Sequence, residues 1–292
     1  MPEARPCRSA LFVPGSNTRA VAKARTLAAD LLIFDLEDAV APAQKSAARE
    51  AVAAALGVER YGRRGLAVRV NGIETPWGRD DLVVAAKLPV AAVLLPKVEA
   101  PETVRQAAAL LEAAGAPAPP QLWCMLESPR GILRAVAIAE ADPRVAALVA
   151  GTADLAKDLH AIPGRDRLPL LPALTQLVLV ARACGLLALD GIHADLEDDS
   201  GFEAACRQGR ALGFDGKSLI HPKTIAAANR IFAPSPDDIA AARRIIEAHA
   251  AAAARGQGVT LVDGRLVERL HVEEAQRLIA LADAIAALES AT

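Results

Sequence analysis

Short apolar segments alternate along this chain with longer segments rich in Ala, Leu, Arg and Glu. The apolar segments are residues 9–15, 31–37, 67–71, 92–97, 122–127, 145–151, 186–191 and 214–221. The segments of helical character that follow them are residues 18–28, 45–56, 79–88, 102–114, 132–141, 172–183, 202–212 and 224–231. Continuous apolar strands that each precede a helix are typical of a parallel sheet covered on both faces. Eight such units predict a closed (β/α)8 barrel, the TIM barrel of α/β proteins, rather than an open sheet.

Two further helical segments, residues 236–254 and 272–288, follow the eighth unit and are not needed to close a barrel. The stretch between them, residues 256–264, is bounded by glycines and predicts a hinge or a short hairpin. We therefore divide the chain into a barrel domain, residues 1–234, and a C-terminal helical extension, residues 235–292. A lid or an oligomer contact is the expected use of the extension.

Composition and charge narrow the class of protein. Hydrophobic residues make up 53% of the chain and charged residues 23%, whereas aromatic residues make up only 3%, too few for the stacking platforms that bind single-stranded nucleic acid. The formal net charge of -2 gives no reason to expect a polyanionic partner. The four cysteines form no C-x-x-C pair, so we expect them to be small buried residues. These features favour an enzyme or binder of small molecules.

Neither a targeting segment nor a membrane segment is expected. Residues 1–6 are polar and no apolar region follows them, which disfavours a signal peptide. No run of 18 apolar residues is free of a charge or a proline, which disfavours a membrane span. A cytoplasmic location is the resulting prediction.

Polar side chains follow the apolar segments rather than precede them. Barrel enzymes carry their working residues at the C-terminal ends of the strands. Seven of the eight segments end in such groups, which are Asp35, Glu37 and Asp38, Arg69 and Asn71, Lys97, Glu127, Asp154, Asp190, and Lys217 with His221. This asymmetry predicts a functional site at one end of the barrel.

Within this set, the carboxylates of the fifth and sixth units predict a divalent-cation site. Glu127 ends the fifth segment and Asp154 lies just beyond the sixth. Because neighbouring strands lie about 4.8 Å apart, both carboxylates are expected to reach one ion. Two carboxylates with open remaining positions suit Mg2+, and Mn2+ fits the same ligands. Zinc is disfavoured because no histidine or cysteine accompanies the pair.

The other groups at this end suit the handling of an anionic substrate. Arg69 is expected to grip a substrate carboxylate with its two-pronged guanidinium, or to form an internal ion pair with Glu37 or Asp38. Glu37 and Asp38 are expected to orient metal-bound waters. Lys97 either binds an anion or neutralises the acidic cluster, and the sequence leaves both roles open.

At these residues the sequence resembles the HpcH/HpaI aldolase and citrate lyase family, in its citrate lyase beta-subunit-like branch. The matching segments are residues 8–15 (RSALFVPG), 34–40 (FDLEDAV), 68–71 (VRVN), 95–99 (LPKVE), 127–132 (ESPRGI), 151–155 (GTADL) and 213–222 (GFDGKSLIHP). Each segment alone is weak evidence. Seven in the right order are specific for the family, though not for one reaction within it.

The resemblance implies an Mg2+-dependent carbon–carbon lyase. Such an enzyme cleaves or forms a 3-hydroxyacyl-CoA thioester, for example citramalyl-, malyl- or citryl-CoA, which gives a 2-oxo acid and acetyl-CoA. The resemblance also implies a homotrimer, Mg2+ held by Glu127 and Asp154, and a 2-oxo or 2-hydroxy acid bound by Arg69. The substrate carrier is usually coenzyme A, and in citrate lyase it is an acyl carrier protein.

The tail extends the resemblance to one more residue. Malyl- and citramalyl-CoA lyases share a Gly-x-Met-Ile-Asp motif there, whose aspartate reaches a neighbouring subunit's site. This chain has Gly264-Arg265-Leu266-Val267-Glu268, so the resemblance implies an acid/base group at Glu268, with a solvated loop glutamate as the alternative. By their position near the first loop, Arg8, Arg19 and Lys23 are candidate contacts for the phosphates of CoA.

Two other functions within this family remain open for the chain. One is a malyl-CoA-type thioesterase on the same scaffold, and the other is a citrate lyase beta subunit that works only in a complex with an acyl carrier protein. A free 2-oxo-acid aldolase of the other family branch is disfavoured. That chemistry usually uses a histidine near the metal, and none lies in the first four predicted loops.

Overall fold

A computed structural model of the chain describes residues 6–58, 61–116 and 118–290, and shows eight parallel strands closed into a barrel. The strands are β1 (Ser9–Pro14), β2 (Leu31–Asp35), β3 (Gly65–Arg69), β4 (Ala92–Leu95), β5 (Gln121–Leu126), β6 (Val145–Ala150), β7 (Leu187–Asp190) and β8 (Gly216–Leu219). Their order around the barrel is their order in the sequence, and β1 pairs with β8 to close it. The predicted (β/α)8 barrel is confirmed, and each strand overlaps one predicted apolar segment.

Helices follow the strands, with two differences from the prediction. They are α1 (Thr18–Ala24), α2 (Lys45–Val58), α3 (Gly78–Ala85), α4 (Pro101–Ala113), α5 (Pro129–Leu133), α6 (Ala135–Ala139), α7 (Thr152–Asp158), α8 (Leu171–Ala183), α9 (Asp199–Leu212) and α10 (Ile225–Phe232). The single helix predicted over 132–141 is two short helices, because the backbone leaves the helical conformation at Arg134. The short helix α7, which carries Asp154, was not predicted.

Alternating side chains divide the strand residues into two apolar layers. On β1, Ala10 and Phe12 belong to the cluster inside the barrel, whereas Leu11 and Val13 belong to the cluster between the strands and the helices. The same alternation runs through the other strands. The inner cluster fills the barrel below its C-terminal end, so a site at the mouth is closed from below by packed apolar side chains.

The C-terminal residues form a compact unit of their own, which begins at Ala233, whereas the barrel unit spans Cys7–Phe232. The C-terminal unit contains α11 (Pro236–Ala253), the hairpin strands β9 (Thr260–Val262) and β10 (Arg265–Val267), and α12 (Arg269–Glu289). Asp263 and Gly264 form the hairpin turn with positive φ angles of 49° and 77°. Of the two predictions for residues 256–264, the short hairpin is confirmed.

No helix of the described residues is both long and apolar enough to span a membrane. Of the segment 1–6, on which the prediction about a signal peptide rests, residues 1–5 lie outside the described part of the chain.

Candidate active site at the barrel mouth

A cavity of about 350 Å³ opens at the C-terminal ends of the barrel strands. Its wall consists of Phe12, Pro14, Asp35, Asp38, Ala39, Arg69, Met125, Glu127, Ala150, Gly151, Thr152, Ala153, Asp154, Ile192, Ser218 and Ile220. Four of the predicted site residues, Asp38, Arg69, Glu127 and Asp154, therefore meet in one cavity. Its remaining wall is largely apolar, which is the usual composition of a small-molecule site with a few convergent polar groups.

Arg69, at the end of β3, is held by the buried carboxylate of Asp35 at the end of β2. Its Nε donates to Asp35 Oδ1 at 2.7 Å and its Nη2 to Asp35 Oδ2 at 2.6 Å. Its Nη1 lies 3.1 Å from Glu37 Oε2, and the guanidinium carbon lies 4.7 Å from the centroid of the Phe12 ring. The internal ion pair is thus present, but its main partner is Asp35. Because Asp35 occupies the Nε–Nη2 edge, a substrate carboxylate has access only to the Nη1 side of Arg69.

Lys97 neutralises the acidic cluster instead of lining the cavity. Its Nζ contacts Glu37 Oε1 at 2.5 Å and Asp38 Oδ1 at 3.4 Å. Although burial acts to lower the pKa of Lys97, the hydrogen bond and the charge of Glu37 raise it overall. Of the two roles predicted for Lys97, the geometry favours neutralisation, and its predicted contact with the substrate has no support from its position.

The pKa values of the adjacent residues Glu37 and Asp38 shift in opposite directions from their usual values. Burial raises the pKa of Glu37, and the charges of Arg69 and Lys97 offset this effect only in part. For Asp38, burial acts to raise the pKa, but a hydrogen bond with Glu37 and the charges of Lys97 and Arg69 lower it overall. Asp38 therefore presents an ionised carboxylate in the cavity wall, whereas the Glu37 side chain is committed to Arg69 and Lys97.

Glu127 and Asp154 follow the neighbouring strands β5 and β6, and both line the cavity. Glu127 follows β5 directly, and Asp154 lies in the first turn of α7, which begins one residue after Gly151. The backbone N–H of Lys97 donates to Glu127 Oε1 at 2.6 Å, with Lys97 held at a positive φ of 49°. A Cβ at Gly151 would collide with the Glu127 side chain, so this glycine makes room for the carboxylate.

The electrostatics of the mouth favour a bound cation. The pKa of Glu127 is raised to about 7, mainly by burial; the hydrogen bond from the Lys97 N–H lowers it, and the charges of Glu37 and Asp154 add to the increase. In the cluster around Arg69, Lys97 and Glu127, the five described carboxylates of Asp35, Glu37, Asp38, Glu127 and Asp154 outnumber the three cations Lys45, Arg69 and Lys97 by two. A divalent ion would balance this excess.

The donor set also fits a hard cation. Within the described part of the chain, no three His, Cys, Asp or Glu side chains are grouped so as to enclose a metal. The pair of Glu127 and Asp154 would therefore leave most coordination positions to water and substrate oxygens. Mg2+ is commonly bound in this way, through one or two carboxylates. These two residues would hold the ion.

Three sequence-predicted CoA contacts lie in two different environments. Arg8 lies just before β1, where its side chain is buried and donates to both carboxylate oxygens of Asp30 at 2.9 and 2.8 Å. This is the N-terminal end of the barrel, opposite the cavity, so the prediction for Arg8 is wrong. Arg19 and Lys23 are exposed on α1, which follows the cavity residue Pro14, and they remain predictions.

Glu268 begins α12 as its N-terminal capping residue. Its backbone N–H donates to His271 Nδ1 at 3.1 Å, and its side chain is partly buried. The residue is therefore part of a helix start rather than a free loop glutamate. Its predicted catalytic role remains a prediction.

Sequence reasoning missed two residues that position the site. Asp35 was recognised only as a polar strand end, yet it fixes the guanidinium of Arg69. Lys45 is buried and its Nζ donates to the backbone carbonyls of Leu36 and Glu37 at 3.0 and 2.8 Å. It thereby holds the loop that carries the acidic residues. A lysine in the first turn of an otherwise apolar-faced helix was the only available signal for this role.

Replacing Gly151 by Ala should weaken the response to Mg2+ by about 10- to 100-fold, the usual cost of disturbing the surroundings of a metal ligand. The added methyl group must displace the Glu127 side chain. The measurement is the Mg2+ concentration that gives half-maximal activity. Gly57→Ala in α2 is the matched control, since a Cβ there meets no atom within 4 Å and alanine favours a helix. An unchanged Mg2+ requirement in Gly151→Ala would argue against Glu127 as a ligand.

Known proteins similar to this chain share its fold and most of its length. The model of the family described as HpcH/HpaI aldolase/citrate lyase matches residues 8–222. The chain is 47% identical to a (3S)-malyl-CoA thioesterase of Cereibacter sphaeroides over 99% of both chains. It is 36% identical to an L-malyl-CoA/beta-methylmalyl-CoA lyase of the same species over 98% of both. A crystal structure of the protein CitE from Mycobacterium tuberculosis with magnesium, acetoacetate and coenzyme A superposes with a TM-score of 0.76, at 31% identity, over 96% of this chain and 98% of that one.

Proposed function

The chain belongs to the HpcH/HpaI aldolase/citrate lyase family, and we propose that it is an Mg2+-dependent enzyme that acts on the CoA thioester of a short hydroxy acid of the malyl class. The resemblance predicted from the seven sequence segments is confirmed. The observation that carries the proposal is the meeting of Arg69, Glu127 and Asp154 in one small cavity at the barrel mouth.

The known relatives support both the metal and the substrate class. Malyl-CoA is the substrate named for relatives of 47% and 36% identity, and the CitE structure contains magnesium and coenzyme A. The cavity volume of about 350 Å³ lies at the small end of ligand sites, so it suits a four-carbon acyl group rather than the whole CoA molecule. We therefore place the acid end of the substrate inside the cavity and the CoA outside its mouth.

We propose carbon–carbon cleavage as the first candidate reaction, because the matching family model is that of aldolases and citrate lyases and the chain is 36% identical to a malyl-CoA lyase. The hydroxyl of the substrate loses its proton, the bond between the hydroxyl-bearing carbon and the methylene carbon breaks, and its electron pair passes to the thioester as an enolate. The enolate carbon then takes up a proton, which yields glyoxylate and acetyl-CoA from malyl-CoA. When bound, Mg2+ would supply a Lewis acid that favours the loss of the hydroxyl proton.

The chain's own residues supply orientation and charge for this step. Asp35 occupies the Nε–Nη2 edge of Arg69, and we propose that the Nη1 side binds the acid end of the substrate and stabilises the oxygen that gains negative charge. Glu37 and Lys97 hold each other and leave Asp38 ionised in the cavity wall. We propose Glu268, from a neighbouring subunit of a homotrimer, as the source of the final proton. Arg19 and Lys23 are the proposed contacts for the CoA phosphates, and the proposed location is the cytoplasm.

Thioester hydrolysis is the second candidate, and one observation favours it. The relative with 47% identity over 99% of both chains is named a thioesterase, whereas the relative named a lyase is 36% identical. In this reaction water adds to the thioester carbonyl and CoA leaves as the thiol, so malyl-CoA gives malate and free CoA. The acid end of the substrate would bind in the same cavity.

Incubation of the purified chain with (3S)-malyl-CoA and Mg2+ should convert the thioester without any added protein. Chromatography of the CoA species distinguishes the reactions, since cleavage gives acetyl-CoA and glyoxylate, whereas hydrolysis gives free CoA and malate. EDTA should stop either reaction and excess Mg2+ should restore it. Turnover only after addition of an acyl carrier protein would instead identify a subunit of a citrate lyase complex. Full activity in EDTA would contradict the metal assignment.

A further inference from the structure

One hydroxyl in the cavity wall forms no hydrogen bond within the described part of the protein. Ser218 lies on β8, is 1% exposed and lines the cavity. Its neighbour Leu219 belongs to the outer apolar layer, so the alternation along the strand turns Ser218 to the inside of the barrel. Ser218 Oγ has no hydrogen-bond partner among the described groups.

The other buried hydroxyls of the described chain all form internal hydrogen bonds. Ser9 Oγ accepts from the N–H of Asp30 at 3.0 Å, Ser128 Oγ accepts from the N–H of Gly131 at 3.1 Å, and Thr224 Oγ1 donates to the carbonyl of His221 at 2.8 Å. Thr152 Oγ1 reaches the carbonyl of Ile192 at 3.4 Å. Since buried polar groups in native proteins are nearly always paired with protein, water or ligand, an unpaired hydroxyl that lines a cavity is available to a polar group of a ligand.

We propose that Ser218 is a substrate-binding residue that donates its hydroxyl hydrogen to the carboxylate of the bound 2-oxo or 2-hydroxy acid. This inference rests on the proposed function, because it assigns the acid end of that substrate to the inner part of the cavity. It gives the carboxylate a donor on β8 in addition to Arg69 on β3.

The charge distribution in the cavity explains why a neutral donor is needed there. Arg69 has one edge occupied by Asp35 and its Nη1 shared with Glu37, so it offers the substrate carboxylate only part of its donor capacity. The oxo or hydroxyl oxygen of the acid belongs beside Glu127 and Asp154, where the cation is proposed to bind. The carboxylate is then the remaining polar group of the acid end. Ser218, on the inner wall, is the unpaired donor that can meet it.

Ser218→Ala is expected to raise the Kd for pyruvate and glyoxylate about tenfold, as measured by calorimetry on the Mg2+-loaded protein. A hydrogen bond to a charged group commonly contributes an effect of at least this size. The KM for malyl-CoA should rise by a similar factor, with kcat changed much less. The melting temperature should stay the same or rise, because the hydroxyl has no partner to lose in the free protein.

Ser9→Ala is the matched control. Ser9 is also a buried strand serine, on the neighbouring strand β1, but it lies at the N-terminal end and its hydroxyl is already paired. Its loss should lower the melting temperature and leave the Kd for pyruvate unchanged. The two variants are thus expected to show opposite patterns of stability and binding.

A ligand without the charge tests whether the carboxylate is the group recognised. Pyruvamide retains the oxo group but has a neutral amide, so the ratio of its Kd to that of pyruvate should be smaller in Ser218→Ala than in the wild type. Equal Kd values for pyruvate in the wild type and Ser218→Ala, with the wild type active, would overturn this inference alone. A wild type that binds neither acid and converts no malyl-class thioester would overturn the proposed function and this inference with it.

Discussion

Glu127→Gln and Asp154→Asn are each expected to reduce thioester turnover about 10³-fold while the protein stays folded. Both substitutions keep the size of the side chain and remove one of the two negative charges proposed to hold Mg2+. A bound metal contributes several kcal/mol of transition-state stabilisation, and about 4 kcal/mol corresponds to a factor of 10³ in rate. The measurement is kcat/KM with malyl-CoA at saturating Mg2+, together with Mg2+ affinity by calorimetry.

Matched controls separate the loss of a ligand from the loss of a charge. Asp158→Asn changes an exposed carboxylate on the same helix as Asp154, and Glu99→Gln changes a half-buried glutamate shortly after β4. Both should retain wild-type turnover and Mg2+ affinity. Wild-type turnover in either Glu127→Gln or Asp154→Asn would refute the assignment of that residue as a ligand.

The stability of the metal-free protein gives a second readout for Glu127. Burial raises the pKa of Glu127 from its usual 4.5 to about 7, so the folded protein favours the protonated form. The stabilising contribution of this group is therefore complete below pH 4.5 and is lost as the pH rises through about 7. Above pH 7, without Mg2+, Glu127→Gln should melt at a higher temperature than the wild type. Saturating Mg2+ should raise the melting temperature of the wild type much more than that of the variant.

The barrel was predictable from the sequence because its signal is repeated eight times. Each buried parallel strand is apolar on both faces, so segments such as 92–97 and 122–127 stand out without any knowledge of their partners. The short helix α7 gave no such signal. It has seven residues, begins directly after Gly151, and is too short for a helical periodicity to be visible.

The sequence predicted which residues form the site, but not which of their side chains contact each other. Position at the C-terminal ends of strands identified Arg69, Glu127 and Asp154, which share one cavity. Which carboxylate holds Arg69 depends on side-chain directions across β2 and β3, and these are fixed only by packing. Arg8 shows that residues close in the sequence need not lie close in the structure. It is seven residues from Gly15 in the first loop, yet it is buried at the opposite end of the barrel.

Arg69→Lys should lower kcat/KM for the thioester about 10²- to 10³-fold, comparable to the removal of a donor that stabilises a developing negative charge. Arginine pairs with Asp35 through Nε and Nη2 and leaves Nη1 outside that pair, where we propose that it contacts the substrate. A lysine ammonium is a single point, so it either pairs with Asp35 or donates into the cavity. In the first case the substrate loses its donor, and in the second the buried Asp35 carboxylate loses its partner.

Arg64→Lys is the control for this substitution, since Arg64 is also a buried arginine and directly precedes β3, at its other end. Its guanidinium donates to the carbonyl oxygens of Leu27 and Tyr61, so its loss should cost stability without changing kcat/KM. Asp35→Asn completes the comparison, because it leaves the charge of Arg69 in place and removes the carboxylate that orients it. If orientation matters as much as charge, Asp35→Asn should also lower kcat/KM, by about 10- to 100-fold. Wild-type kcat/KM in Asp35→Asn would mean that Phe12 and Glu37 alone hold the guanidinium, and the role assigned to Asp35 would then be wrong.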